Sequence, residues 1–188
     1  MKKNLIRCFG NKLGQKLYAN YHDTEWCKPV YDETKIFECL TLECFQSGLS
    51  FEIILKKREN FRKAFYNFDL KKVANMSNDE LDGLLLNPMI IRNKLKIYST
   101  KINANVFLRI QEDYTSFTNY IWGFVNFKPI INNWACISDM PNSNDLSILL
   151  SKELKLKGMK FIGPVIIYSF LQSIGLINDH ISTCSFKN

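Results

Sequence analysis

The sequence predicts an all-α protein. Apolar residues recur at intervals of three and four with few strictly alternating stretches, and capping residues and glycines bracket those runs. Length and composition agree, because 188 residues at 46% hydrophobic and 13% aromatic content can bury a substantial core. No repeat, low-complexity tract or linker interrupts the chain, so residues 1–188 read as a single unit.

Asp32 caps a helix running to about Gln46, which Gly48 stops. Ser50 caps the next, with Phe51, Ile53, Ile54 and Leu55 ahead of Lys56-Lys57-Arg58-Glu59, and the two form a helical hairpin. Ser77-Asn78-Asp79-Glu80 has the form of a capping box before Leu81, Leu84 and Leu85, and Pro88 ends that short helix. A long helix follows, with Ile91, Leu95, Tyr98, Ile102 and Val106 as its expected apolar face and Lys94, Lys96, Lys101 and Arg109 on its others. The aromatic run from 117 to 127 reads as core. A polar connection from Asn132 to Asn144 leads into a helix marked by Leu146, Leu149, Leu150 and Leu154, which ends at Gly158. The last clear helix starts at Pro164, buries Val165, Ile166, Tyr168, Phe170 and Leu171, and stops at Gly175.

Lysine and arginine total 25 against 18 acidic residues, a formal charge of +7 that favours an anionic partner such as nucleic acid. No apolar run approaches the roughly 18–20 residues that span a bilayer, and Met1 to Arg7 lacks the apolar segment of a signal peptide, so a cytosolic protein with no membrane partner is expected. The six cysteines, at 8, 27, 39, 44, 136 and 184, then read as reduced thiols or metal ligands rather than a disulfide framework. Cys39 and Cys44 sit in apolar company as small buried hydrophobes.

The chain has two histidines, His22 and His180, near its opposite ends. His180 and Cys184 stand four apart, a spacing that one helical turn would place on one face. With Cys8 and His22 they make a thiolate and imidazole set that suits a structural zinc site closed to water; the alternative is two isolated histidines and two buried thiols. Leu154-Lys155-Leu156-Lys157-Gly158-Met159-Lys160-Phe161-Ile162-Gly163-Pro164 reads as a helix-hairpin-helix, part of a unit at about 146–175. Glycines at both ends let the hairpin turn its backbone N–H groups outward, and the next helix adds its positive N-terminus, which makes a phosphate site. Lys155, Lys157 and Lys160 add cations suited to sequence-independent backbone contact. An ordinary helical hairpin with a solvated lysine face is the other reading.

Taken together, several stretches resemble the bacterial 3-methyladenine DNA glycosylases of type I, the constitutive enzymes of the helix-hairpin-helix superfamily. They are Arg7-Cys8, Tyr21-His22-Asp23-Thr24-Glu25-Trp26, Leu42-Glu43, Gly48-Leu49-Ser50, Leu55-Lys56-Lys57-Arg58-Glu59-Asn60, Phe124-Val125-Asn126, Gly158 through Gly163, Tyr168-Ser169-Phe170, Gly175-Leu176 and Asn178-Asp179-His180. The resemblance implies hydrolysis of the N-glycosidic bond of 3-methyladenine in double-stranded alkylated DNA, in base-excision repair, by a monofunctional enzyme that needs no second subunit. It implies one structural zinc ion on Cys8, His22, His180 and Cys184, joining the N- and C-terminal regions. It assigns base recognition to Glu43, base stacking to Tyr21, Trp26 and Phe51, and DNA contact to Gly158, Lys160 and Gly163.

Three positions depart from the family. Phe51 stands where a pocket tryptophan is usual, Gly10 where another tryptophan is common, with Phe9 one place early, and Cys27 where a glycine follows the matched tryptophan. Asp179 lies near the interval of the superfamily's catalytic aspartate, a role this subfamily lacks, and its place beside His180 equally suits a partner that orients the zinc ligand. The changed aromatics leave a second reading, a non-enzymatic helix-hairpin-helix protein that binds damaged DNA. A zinc hydrolase would require an open metal position.

Overall fold

Caps and apolar runs resolve into nine helices in the computed structural model, which describes residues 5–187. They are α1 (Lys16–Thr24), α2 (Glu33–Gln46), α3 (Phe51–Ala64), α4 (Leu70–Ala74), α5 (Asn78–Leu84), α6 (Lys94–Tyr114), α7 (Phe117–Gly123), α8 (Asp145–Leu156) and α9 (Pro164–Ser173). A two-residue parallel ladder, β1 (Ile130–Ile131) beside β2 (Ile177–Asn178), is the only strand pairing among the described residues. Of the stretch read for a signal segment, Met1 to Asn4 lie outside the described residues.

The caps act as the sequence leads one to expect. Asp32 accepts from the Lys35 amide at 2.7 Å, and Ser77 and Glu80 close a reciprocal box at 3.1 and 2.7 Å. Ser50 stands at the N-cap of α3, but its side chain makes no capping bond.

Helix α2 forms the centre of the molecule. Every residue from Ile36 to Phe45 is buried, and the helix packs against α3, α6, α7 and α9. A helix buried all round ordinarily carries no ionisable groups, so Glu38 and Glu43 within it require separate explanations. A smaller cluster of Cys8, Tyr21, Trp26, Cys27, Leu55 and Cys184 gathers the two chain ends beside this centre.

The structure differs from the sequence expectations at four places. On α6 the core face is Ile97, Ala104, Val106, Phe107 and Ile110, whereas Leu95 and Ile102 are 69% and 41% exposed. That helix carries two neighbouring apolar stripes, and periodicity alone does not say which one the rest of the chain covers. On α9 Val165 is exposed and Ile167 takes the buried place; on α8 Leu149 is exposed. His180 and Cys184 do not share a helical turn: Cys184 donates its amide to the Ile181 carbonyl at 2.9 Å, and this tight turn brings them together instead.

Candidate functional site

Four buried side chains from the two chain ends converge. The ligand atoms of Cys8, His22, His180 and Cys184 all lie within 4.8 Å of one another. Cys184 Sγ stands 3.3 Å from His180 Nδ1 and 3.6 Å from His22 Nε2, and Cys8 Sγ stands 3.6 Å from His180 Nδ1. Bond lengths of about 2.0–2.3 Å to a tetrahedral ion imply ligand separations of about 3.3–3.8 Å, so these atoms fit such an ion with little movement. Burial pushes His180 down to about 4 and lowers His22 as well, so both imidazoles are neutral, the form that ligates a metal. The group can therefore hold a metal ion.

Its orientation comes from a neighbouring ion pair. His22 Nδ1 meets Asp23 Oδ1 at 2.9 Å, Asp23 is gripped by the fork of Arg7 at 2.8 Å, and Nε2 is thereby aimed inward, where the Cys8 amide also donates to it at 3.2 Å. Asp179 does not orient a ligand. Its carboxylate accepts from Asn132, Trp134, Tyr168 and Gln172, and the His180 amide donates instead to Asn178. With four donors and no exposure it is also closed to a sugar or a water, which removes the catalytic reading.

Beside the cluster lies a cavity of about 150 Å³ lined by Phe9, Tyr18, Tyr21, Trp26, Glu43, Gln46, Phe51, Ser169 and Gln172, among others. Tyr21 and the half-buried Tyr18 are three residues apart on one face of α1, and Trp26 follows that helix, so the aromatics stand on a helix and its exit rather than on a loop. Tyr21 and Phe51 have ring centroids 4.9 Å apart, and Phe9 stacks on Tyr18 at 4.4 Å and meets Trp26 edge-on at 4.9 Å. Gly10 could not carry the family's tryptophan without rebuilding. A Cβ there would lie 2.7 Å from the Ala19 backbone, and Phe9 supplies the ring from the next position. Cys27 has φ +61°, the left-handed conformation that suits the glycine it replaces.

Glu43 is the anomaly of the pocket. It is 3% exposed, its Oε2 has no hydrogen-bond partner among the described residues, and burial alone pushes its carboxyl up to about 8. Glu38, five residues earlier on the same helix, is by contrast held by Arg58 at 2.5 Å, Arg62 at 2.9 Å and Lys35 at 3.6 Å. Arg58 also forks onto Glu25 at 2.7 and 2.8 Å, which ties the residue before Trp26 to α3. Burial opposes ionisation of Glu25, yet the Arg58 and Lys35 hydrogen bonds hold it at about 2.

The hairpin between α8 and α9 is braced from behind. Asn103 accepts from the Lys160 amide at 2.8 Å and donates to its carbonyl at 3.0 Å, and Ser151 donates to the Ile162 carbonyl at 2.6 Å. The left-handed residues are Gly158 at φ +104° and Phe161 at +56°; Gly163 is an extended N-cap, not a second left-handed glycine. Among the described residues no internal hydrogen bond is donated by the Phe161, Ile162 or Gly163 amides. Lys160 is exposed beside them, but Lys157 lies over the rings of Tyr114 and Tyr120 at 5.3 and 5.6 Å and is not the mobile cation expected.

Sequence reasoning thus placed Glu43, Tyr21, Trp26 and Phe51 in one pocket and the four ligand residues in one cluster. It missed Tyr18, Gln46, Ser169 and Gln172. The three-residue step from Tyr18 to Tyr21, and the same step from Ser169 to Gln172, were the available signals.

Among the described residues, a buried carboxyl with an unpartnered oxygen thus stands in an aromatic pocket, on a basic helical chain whose hairpin has amides without internal acceptors. The chain belongs to the methyladenine glycosylase family, whose pattern matches residues 11–188, and the resemblance read in the sequence is borne out. It is 42% identical over 173 residues to the DNA-3-methyladenine glycosylase of Haemophilus influenzae, covering 92% of this chain and 94% of that one. A crystal structure of 3-methyladenine DNA glycosylase I superposes with a TM-score of 0.93 at 40% identity, covering 97% of this chain and all of the other. The Staphylococcus aureus enzyme, solved for the basis of its 3-methyladenine recognition, gives 0.90 at 39% identity over 92% of each chain.

Proposed function

We propose that this chain removes 3-methyladenine from alkylated double-stranded DNA as a monofunctional base-excision repair glycosylase, acting as a monomer and as one unit over residues 1–188. Glu43 carries the reading. A buried carboxyl with an unpartnered oxygen costs stability, and in this pocket its return is an acceptor waiting for a donor on a cationic ring. Alkylation at N3 already gives the adenine a positive charge. Water adds to the sugar C1′, the N-glycosidic bond breaks with its electron pair passing to the base, and a proton leaves to solvent. Neutral 3-methyladenine and an abasic sugar remain.

Because the leaving group is activated in advance, the residues here mainly select and hold it. Tyr21, Trp26 and Phe51, with Phe9 and Tyr18, offer π faces to the extruded base, and Glu43 favours its charge and accepts from its edge. Among the described residues no lysine lines the cavity, which supports hydrolysis without strand cleavage. The helix-hairpin-helix at about 146–175 meets a DNA phosphate through its free amides at Gly163 and its neighbours, with Gly158 shaping the turn and Lys160 adding charge. Work on DNA with six free thiols suits the cytosol, and no described helix is long and apolar enough to cross a membrane.

Cys8, His22, His180 and Cys184 hold one zinc ion, which with four protein ligands serves as a cross-link between the chain ends rather than a source of activated water. Chelation should therefore lower the Tm, with activity lost only as the terminal region unfolds. Rapid loss of turnover with an unchanged Tm would remove the structural assignment. The function itself is tested by incubating the protein with methylated duplex DNA and identifying the freed bases chromatographically against a heat-treated blank. Free 3-methyladenine is expected; DNA binding without release would leave a binding protein derived from a glycosylase.

A further inference from the structure

Gln172 occupies an unusual place on α9. It is half-buried between the fully buried Leu171 and the buried Ser173, and it lines the cavity that holds Glu43. Its amide is not free to choose its orientation. Nε2 lies 2.6 Å from Asp179 Oδ2, and Asp179 is fully buried with Oδ1 taking Asn132 and Trp134 at 2.7 Å each and Oδ2 also taking the Tyr168 hydroxyl at 2.6 Å. Reversing the glutamine amide would set its carbonyl against a carboxylate in a dry site, two acceptors with no proton between them. The NH2 end is therefore committed to Asp179, and the carbonyl Oε1, which accepts no hydrogen bond among the described residues, is the end of this cavity-lining side chain left to accept one.

We propose that Gln172 is a specificity-determining residue that distinguishes 3-methyladenine from 3-methylguanine, and that Asp179 is the positioning residue that fixes which end of its amide the base meets. The inference rests on the reading of this cavity as the site of an extruded base. An adenine presents an amino group at its six position where a guanine presents a carbonyl oxygen. Against Oε1 the amino group completes a hydrogen bond, whereas the guanine oxygen faces another acceptor and leaves both without a proton. A site built to accept from a substrate N–H rejects the analogue that lacks it far more strongly than a shape difference would, because the buried polar group is left unpaired.

The deciding variant is Gln172→Met, which keeps length and the backbone carbonyl that accepts from the Cys27 amide at 2.9 Å. Methylated duplex DNA carries both bases, so one chromatogram gives the ratio of 3-methyladenine to 3-methylguanine released. The natural protein should favour 3-methyladenine, and Gln172→Met should lower that ratio by about tenfold or more, the worth of one hydrogen bond and its unpaired counterpart. Asp179→Asn, which can turn its own NH2 to Gln172 and let that amide reverse, should move the ratio in the same direction wherever it folds. A purely structural role would slow release of both bases equally. An unchanged ratio in Gln172→Met, or equal release by the natural protein, would overturn the proposal while leaving the glycosylase reading in place. Release of neither base by the folded natural protein would overturn that reading itself, and this inference with it.

Discussion

Two carboxylates lie at similar depth in this molecule, Glu43 at 3% exposure and Asp179 at none, and their surroundings are opposite. Asp179 collects four side-chain donors from two parts of the chain, the segment after β1 and helix α9. Glu43 has no hydrogen bond to Oε2 among the described residues, and burial holds its carboxyl up to about 8. Glu38, also on α2, sides with Asp179, since two arginines and a lysine surround it. A buried charge that serves the fold is satisfied within the fold, because an unpaired one costs more than most single contacts return. On the function proposed above, the partner of Glu43 arrives with the substrate. The other unpartnered buried atom among the described residues, the Tyr120 hydroxyl, lies outside that pocket, on a ring that Lys157 covers.

The largest expected effect tests the satisfied member of the pair. Asp179→Ala strands four donors, the Tyr168 hydroxyl and the Trp134 ring N–H among them, and breaks the ties between the segment after β1, helix α9 and the residue before His180. Denaturant unfolding should show a loss of about 3–5 kcal/mol, the usual cost of opening a buried charged network. A loss below about 1 kcal/mol, in the range of an ordinary surface change, would mean that water replaces those bonds, and the contrast with Glu43 would collapse.

Glu43→Gln should have the opposite sign on stability while removing function. Glutamine can be buried without an ionisation penalty, so the variant should excise 3-methyladenine poorly, bind undamaged DNA almost as before, and be more stable than the natural protein by about 1–3 kcal/mol near neutral pH. The pH dependence follows from the raised carboxyl. Below its ordinary value of 4.5 the folded and unfolded chains both carry the proton and no penalty exists; as pH rises from there to about 8 only the unfolded chain ionises, so folding stability is lost across that window. The advantage of the variant should accordingly be absent at pH 4 and complete by about pH 8. Thermal unfolding of both proteins across that range measures it, and a constant offset would show that Glu43 finds a partner in solution.

Much of this arrangement was legible in the residues, and the parts that were not share a cause. Caps such as Asp32 and the Ser77–Glu80 box are local, and each formed as read. Cys8, His22, His180 and Cys184 stood out because few residue types ligate metal, although the local geometry read for His180 and Cys184 was a helical turn and the structure has a tight one. Which stripe of α6 would be covered, and whether Asp179 served the metal or the pocket, depended on segments far away in sequence. Asn132 and Trp134 are 47 and 45 positions from Asp179, and nothing in their immediate neighbours announces the bond. Tyr18 and Gln172 were missed for a related reason, since a lone polar tip on an apolar helix face looks the same whether it points at a core or at a pocket.

The smallest expected effects separate two lysines that the sequence treats alike. Lys157 rests over Tyr114 and Tyr120, whereas Lys160 is exposed at the hairpin with its own amide tied to Asn103. Lys157→Ala should cost about 0.5–1 kcal/mol of stability, the value of a partly exposed cation over a ring, and should leave the salt dependence of DNA binding unchanged. Lys160→Ala should leave stability unchanged and reduce the slope of log K against log salt by about one, the signature of one lost phosphate contact. The pair of slopes decides between two pictures of the hairpin. If both lysines flatten the slope equally, the ammonium of Lys157 leaves its rings when DNA arrives, and the hairpin binds through mobile charge. If only Lys160 does, the Tyr114–Tyr120 platform holds one lysine in the fold as Asp179 is held, and leaves the other open to a partner as Glu43 is.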